Sequence, residues 1–147
     1  VYRALADALL SDLPAPSEDA AVLYMGHGTG HYANAAYTQL EYLLHDLGRR
    51  DIVIGTVEGY PGFDEALRRL KERHAVRRVE LRPLMVVAGD HAKNDLAGDE
   101  PDSWKSMLEA EGYQVSCVLR GLGENPGVRA LFVAHAEAAE KLQAEAC

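Results

Sequence analysis

Three residues stand out for the chemistry they could perform together: His27, Glu58 and His91. Two imidazoles and one carboxylate form a borderline donor set that suits Co, Ni, Fe or Zn divalent ions and leaves coordination positions for a substrate. Neutral imidazole, with a reference pKa of about 6.5, also accepts protons near neutral pH, and a carboxylate relays protons or completes a coordination shell. Each of the three follows a short apolar run. The surrounding segments are Met25-Gly-His-Gly-Thr-Gly-His31, Val57-Glu-Gly-Tyr-Pro-Gly62 and Ala88-Gly-Asp-His-Ala-Lys-Asn-Asp95. Successive members lie a little over thirty residues apart, which is one strand-plus-helix period, so a single sheet edge can present all three.

Simpler motifs fail on inspection. Gly26, Gly28 and Gly30 resemble a dinucleotide loop, but GxGxxG requires glycine where His31 stands, and no Walker lysine follows. His27 and His31 have the spacing of a zincin pair without its glutamate. Ser103, Ser106 and Ser116 lack a nucleophile-elbow context. Cys117 and Cys147 form no CxxC pair, so no thiolate zinc or redox motif is spelled out. His45, His74 and His135 read as packing or surface groups on helices. Trp104 reads as core, and Tyr24, Tyr32 and Tyr60 read as half-buried residues flanking strand ends or as groups that stack on a flat ligand.

The elements that must position these groups alternate along the chain. Val1–Leu13 has helical periodicity through Leu5, Leu9 and Leu13, and Pro14 and Pro16 end it. Ala20–Met25 reads as a buried strand, followed by a helix through Leu40, Leu43, Leu44 and Leu47 that Gly48 should cap. Asp51–Val57 is the next strand. Pro61 and Gly62 open a third helix, with Asp64 and Glu65 in its first turn and Arg68, Arg69 and Lys71 near its end, as the helix dipole favours. A strand from Val79 to Val87 contains Pro83, which should mark an edge, a bulge or the strand's end. Pro101 at a first helical position starts a helix through Trp104 to Gly112, a strand runs from Tyr113 to Leu119, and Asn125-Pro126 caps and opens the last helix. This order predicts an α/β fold, an open parallel sheet of about four strands with helices on both faces. In such sheets ligands bind beyond the carboxyl ends of the strands, where the three candidate residues fall.

Composition narrows the partners. The 147 residues carry 15 Lys plus Arg against 23 Asp plus Glu, a formal net charge of −8, which is the wrong sign for a general nucleic-acid binder. No apolar run reaches the length of a membrane span. A chain of this size folds without disulfides or a structural metal. The reducing cytoplasm is the expected compartment, with an export signal upstream of Val1 left open.

Taken together, Gly26-His-Gly-Thr29, Gly55-Thr-Val-Glu-Gly-Tyr-Pro-Gly62, the run from Pro83 to Asp95, Asp99-Glu-Pro-Asp-Ser-Trp-Lys-Ser106 and Gly121-Leu-Gly-Glu-Asn-Pro126 resemble the anaerobic sirohydrochlorin cobaltochelatases of cobalamin biosynthesis, two-domain members of the class II chelatases. The resemblance runs from about Ala20 to the C-terminus. It implies insertion of Co²⁺ into sirohydrochlorin, or its precorrin-2 form, with loss of two pyrrole protons and without a nucleotide. It assigns metal and catalytic roles to His27 and His91 and an active-site role to Glu58. It also implies a flavodoxin- or Rossmann-like half: residues 1–19 as connecting helix and linker, and residues 20–147 as a C-terminal α/β chelatase domain. The N-terminal half would then lie outside this sequence, so the cleft's second wall is expected from that half or from a second copy. Because the tetrapyrrole is rich in carboxylates and the chain is acidic, Lys93 and Arg120 are the candidate cations for binding it. Two other functions fit the same residues: a non-enzymatic metal or tetrapyrrole carrier, and a small single-domain homodimeric chelatase for Ni or Fe.

Overall fold

The computed structural model describes residues 1–145, and for His91 the backbone alone; Cys147 lies outside the described residues. The elements alternate as the periodicity predicts: α1 Tyr2–Leu10, β1 Ala20–Gly28, α2 Ala35–Asp46, β2 Ile52–Glu58, α3 Phe63–Lys71, β3 Arg78–Leu84, α4 Trp104–Ala110, β4 Gln114–Cys117 and α5 Pro126–Glu145. The four strands form one parallel sheet in the order β2-β1-β3-β4. From β1 the chain moves outward to β2, then crosses back to place β3 on the other side of β1. The strand order therefore reverses between β1 and β3, the position at whose carboxyl edge open α/β sheets bind ligands.

Both faces of the sheet are buried, which is why the strands read as nearly continuous apolar runs. Leu23, Met25, Val53 and Leu81 pack with Ala66, Leu70, Trp104 and Leu108 from α3 and α4. Val22, Tyr24, Ile52 and Ile54 pack on the opposite face with Ala6 and Leu9 of α1 and Leu40 and Leu44 of α2. Each fully buried leucine contributes roughly 1.5–3 kcal/mol relative to exposure. Helix α1 is part of this core, and the buried Asn125 ties it to α5, donating from Nδ2 to the Ala8 carbonyl at 2.8 Å. Tyr24 is 3% exposed and so does not reach a ligand; burial pushes its phenol up to about 12.

Caps and breaks follow local chemistry. Asn125 Oδ1 accepts from the N–H groups of Gly127 (2.8 Å) and Val128 (3.3 Å), capping a helix with proline at its first position, as expected. Gly48 has φ +90°, the left-handed conformation that ends α2. Pro83 lies near the end of a central strand at no hydrogen-bonding cost. Arg77 and Leu81 give their carbonyls to Gln114 and Val118, so odd-numbered residues of β3 face β4. β4 stops at Cys117, opposite Leu81, and Pro83's missing N–H points past that end.

Several boundaries differ from expectation. α1 stops at Leu10, where the Ser11 hydroxyl turns back to the Ala8 carbonyl at 2.8 Å. α4 begins at Trp104, not at Pro101, and Ser103 caps it, its Oγ accepting from Ser106 N at 3.1 Å. β3 ends at Leu84, short of Val87, and β4 is the four residues Gln114–Cys117. His74 sits in the turn after α3, not on a helix, whereas His45 and His135 are helical.

Candidate metal centre

β1 and β2 both extend to the residues that could do chemistry. Their register pairs Gly28 with Glu58, so the final residue of each strand stands side by side, with the strands about 4.8 Å apart. This closeness requires glycine. At Gly28, φ is +81° and a Cβ would lie 1.7 Å from the Glu58 carbonyl oxygen. Gly59 has φ +86°, and a Cβ there would lie 2.4 Å from the Thr29 carbonyl oxygen. The two loops are joined by Asn34, a buried side chain whose Oδ1 accepts from Thr29 N (2.9 Å) and whose Nδ2 donates to the Tyr60 carbonyl (2.6 Å). Tyr37 supports β1 from α2: its hydroxyl accepts from Gly28 N at 3.3 Å, and its ring fills the space a side chain at Gly26 would take. Sequence reading missed Asn34 and Tyr37, because their value lies in what they join and nothing in their spacing signals it.

His27 is exposed at the end of β1, with Nδ1 3.0 Å from the Gly28 carbonyl. A carbonyl only accepts, so in this contact Nδ1 is the donor, and a metal or a proton would be met at Nε2. His31 has the opposite arrangement. Its Nδ1 accepts from Ala33 N at 3.1 Å, capping the short 3₁₀ turn Tyr32–Asn34, and its ring stacks on Tyr32 at 3.9 Å. The two histidines of the GHGTGH segment therefore divide the work: one caps a turn and the other presents an imidazole.

His91 begins a wide π-helical turn, His91–Leu96, in the segment after β3. The sequence reads this segment as a plain loop, and the turn forms because Ala92 and Leu96 are fully buried and pin it to the core. Gly89 O accepts from Lys93 N at 3.0 Å and Asn94 O from Gly98 N at 3.2 Å, fixing both ends. His91 thus starts on the β3 side of the switch point and His27 on the β1 side.

Strand alternation turns His27 toward the α3/α4 face and Glu58 toward the α1/α2 face, so they could share one ion only by reaching over the carboxyl edge. Among the described residues no three His, Cys, Asp or Glu side chains converge on one metal position. Lys93 is exposed on the π turn. Arg120 lies past the end of β4, and its guanidinium pairs with Asp12 at 3.0 Å. Exposed apolar side chains stand at the ends of all four strands: Tyr32, Tyr60, Val87 and Leu119.

The family model described as cobalt chelatase (CbiK) matches residues 1–141. The chain belongs to the cobalt chelatase family. It is 42% identical over 144 residues to a sirohydrochlorin cobaltochelatase of Salmonella typhimurium, covering 98% of this chain and 54% of that protein. It is also 42% identical over 135 residues to the sirohydrochlorin cobaltochelatase CbiKC of Nitratidesulfovibrio vulgaris, covering 91% of this chain and 47% of that one. The chain therefore spans about half the length of these cobalt chelatases. Among solved structures, a protein from Marinobacter aquaeolei described under cobalamin (vitamin B12) biosynthesis as CbiX superposes with a TM-score of 0.59 at 21% identity, over 84% of this chain and 98% of that one. That likeness concerns the fold.

Proposed function

We propose that this chain is the metal-handling half of a sirohydrochlorin cobaltochelatase, bringing Co²⁺ and the macrocycle together at the carboxyl edge of its sheet. The observation that carries the reading is the placement of His27 and His91 on the two sides of the switch point, with Glu58 on the neighbouring strand end, within a cobalt chelatase family chain. Co²⁺ is a substrate here. It replaces two pyrrole protons of sirohydrochlorin or precorrin-2, and no nucleotide enters the balance. Nε2 of His27 and the His91 imidazole strip water from the ion and take up the pyrrole protons, while Glu58 relays protons from the other side of the β1 end. Lys93 attracts the macrocycle's carboxylates; Arg120 does so by sharing itself with Asp12.

One sheet edge provides one wall, and a flat macrocycle needs two. The second wall is the remainder of a full-length chelatase or a second copy of this chain. Co²⁺ titration calorimetry, macrocycle titration and absorbance assays of insertion test the assignment together. The chain should bind about one equivalent of Co²⁺ and insert it poorly until the second wall is supplied. His91→Ala and His27→Ala should each lower insertion by about 1,000-fold while macrocycle affinity and melting temperature hold. Glu58→Gln should weaken Co²⁺ binding less than it slows turnover. Turnover near wild type in His91→Ala would remove the proposed centre.

A further inference from the structure

The two outer edges of the sheet are treated differently. On β2 the outward-facing residues are Ile52, Ile54 and Thr56, because Asp51 O is used by Val22 N on β1 and strand residues alternate. Each of the three is occupied. His45 Nε2 lies 2.6 Å from the Ile52 carbonyl, Glu41 Oε2 accepts from Ile54 N at 2.7 Å, and the Pro61 carbonyl accepts from Thr56 N at 2.8 Å. Glu41 is itself held by Arg69 of α3. Helices on both faces thus seal this edge with charged and ring groups, which stops further strand pairing.

Among the described residues β4 carries no such seal. Gln114 N and Val118 N donate inward to β3, so Val115 and Cys117 turn their N–H and C=O groups outward, on the side where the sheet has no further strand. The run Tyr113-Gln-Val-Ser-Cys-Val-Leu119 has neither charge nor proline, the devices that protect exposed edges, and it is rich in strand-forming types. In a chain of net charge −8, a neutral edge is where a second copy meets least repulsion. Beside it on α4, Lys105 and Glu109 stand four residues apart, 3.8 Å from each other, and both act electrostatically on the Cys117 thiol.

We propose that β4 is a self-association surface, on which a second copy of this chain pairs antiparallel to make a continuous eight-stranded sheet. A closed dimer of identical edges requires a twofold axis, and parallel pairing needs an offset that a twofold forbids. With the axis through Ser116, Val115 exchanges both main-chain bonds with Cys117 of the other copy. The same axis lays α4 beside its mate in reverse, so Lys105 faces Glu109 across the contact. This assembly is separate from the closure of the metal cleft, since it points the two carboxyl edges in opposite directions. It therefore stands or falls independently of the proposed chelatase role.

Sedimentation or light scattering of the 147-residue chain from about 1 to 100 μM tests it, the range in which a modest strand-pairing interface reports. The mass should rise from that of the 16.0 kDa chain to twice that value. Val115→Pro removes an outward N–H that the β3–β4 ladder does not use; it should stay monomeric throughout and stay folded with Co²⁺ binding kept, at a lower melting temperature because Val115 packs against the core. Lys105→Glu should weaken association about tenfold, and adding Glu109→Lys should restore it. A wild-type chain that is monomeric at 100 μM, or a folded Val115→Pro chain that still dimerises, overturns the proposal. So does a Lys105→Glu chain that associates as tightly as wild type, or a double variant that fails to regain association.

Discussion

The two ends of this sheet handle polar groups in opposite ways. At the amino ends of the strands, charges face one another. Arg49 grips Asp51 through two 2.8 Å hydrogen bonds with both residues buried, and Asp19 binds Arg78 at 2.9 and 3.1 Å. At the carboxyl ends, His27 and Glu58 are exposed, and the polar contacts join loop to loop through Asn34. One end closes the fold, and the other leaves the candidate site residues His27 and Glu58 exposed. This division makes a testable claim: changes at the amino end should cost stability and spare chemistry, while changes at the carboxyl end should do the reverse except where the two strands touch.

The largest stability effect should come from Asp51→Ala. It leaves the Arg49 guanidinium buried without its carboxylate, a loss of about 3–5 kcal/mol. Urea unfolding should show the shift in midpoint, and calorimetry under native conditions should find Co²⁺ affinity unchanged in the folded fraction. Altered metal binding would mean that the two ends are coupled through the sheet.

Gly28→Ala probes the exception. A methyl group there collides with the Glu58 carbonyl, and φ of +81° is unfavourable for any side chain, so β1 and β2 must separate where the site is built. The expected cost is about 2–3 kcal/mol, together with loss of cobalt insertion, a combination that neither Asp51→Ala nor the histidine variants should show. Wild-type insertion by Gly28→Ala would mean that the close approach of the two strands is not needed for the chemistry.

How much of this was legible in the sequence depends on the range of the interaction. The strand and helix alternation, the Asn125-Pro126 cap and the terminating role of Gly48 follow from neighbours a few residues away, and all appear in the fold. The sequence reads the π turn at His91–Leu96 as a loop, because the burial of Ala92 and Leu96 that creates it depends on elements far along the chain. The closeness of Tyr24 to the loop in sequence admits stacking as well as half-burial, and the pleat turns it fully into the α1/α2 core. The three candidate ligands were located by period alone. The opposed directions of His27 and Glu58 at their strand ends depend on register, which pairs Gly28 with Glu58 and which the spacing of residues does not specify.

The smallest effect concerns the exposed pair at the amino end. Hydrogen bonds from Arg78, then from Ser17, hold the Asp19 carboxyl well below the usual carboxylate range. A carboxylate with a folded pKa below its unfolded value of about 3.9 contributes stability that is present above that value and lost as pH falls through the folded one. The wild-type chain should therefore lose stability between about pH 4 and the acid limit more steeply than Asp19→Asn, and the two should differ most near neutral pH. Because the pair is exposed, solvent and salt screen it, so the neutral-pH difference should be smaller than for Asp51→Ala and should shrink further in high salt. Urea midpoints measured from pH 2 to 7 at two salt concentrations give both comparisons. Parallel pH profiles for the two proteins would show that Asp19 does not help to lock the amino end, and would leave the buried Arg49–Asp51 pair as its principal clamp.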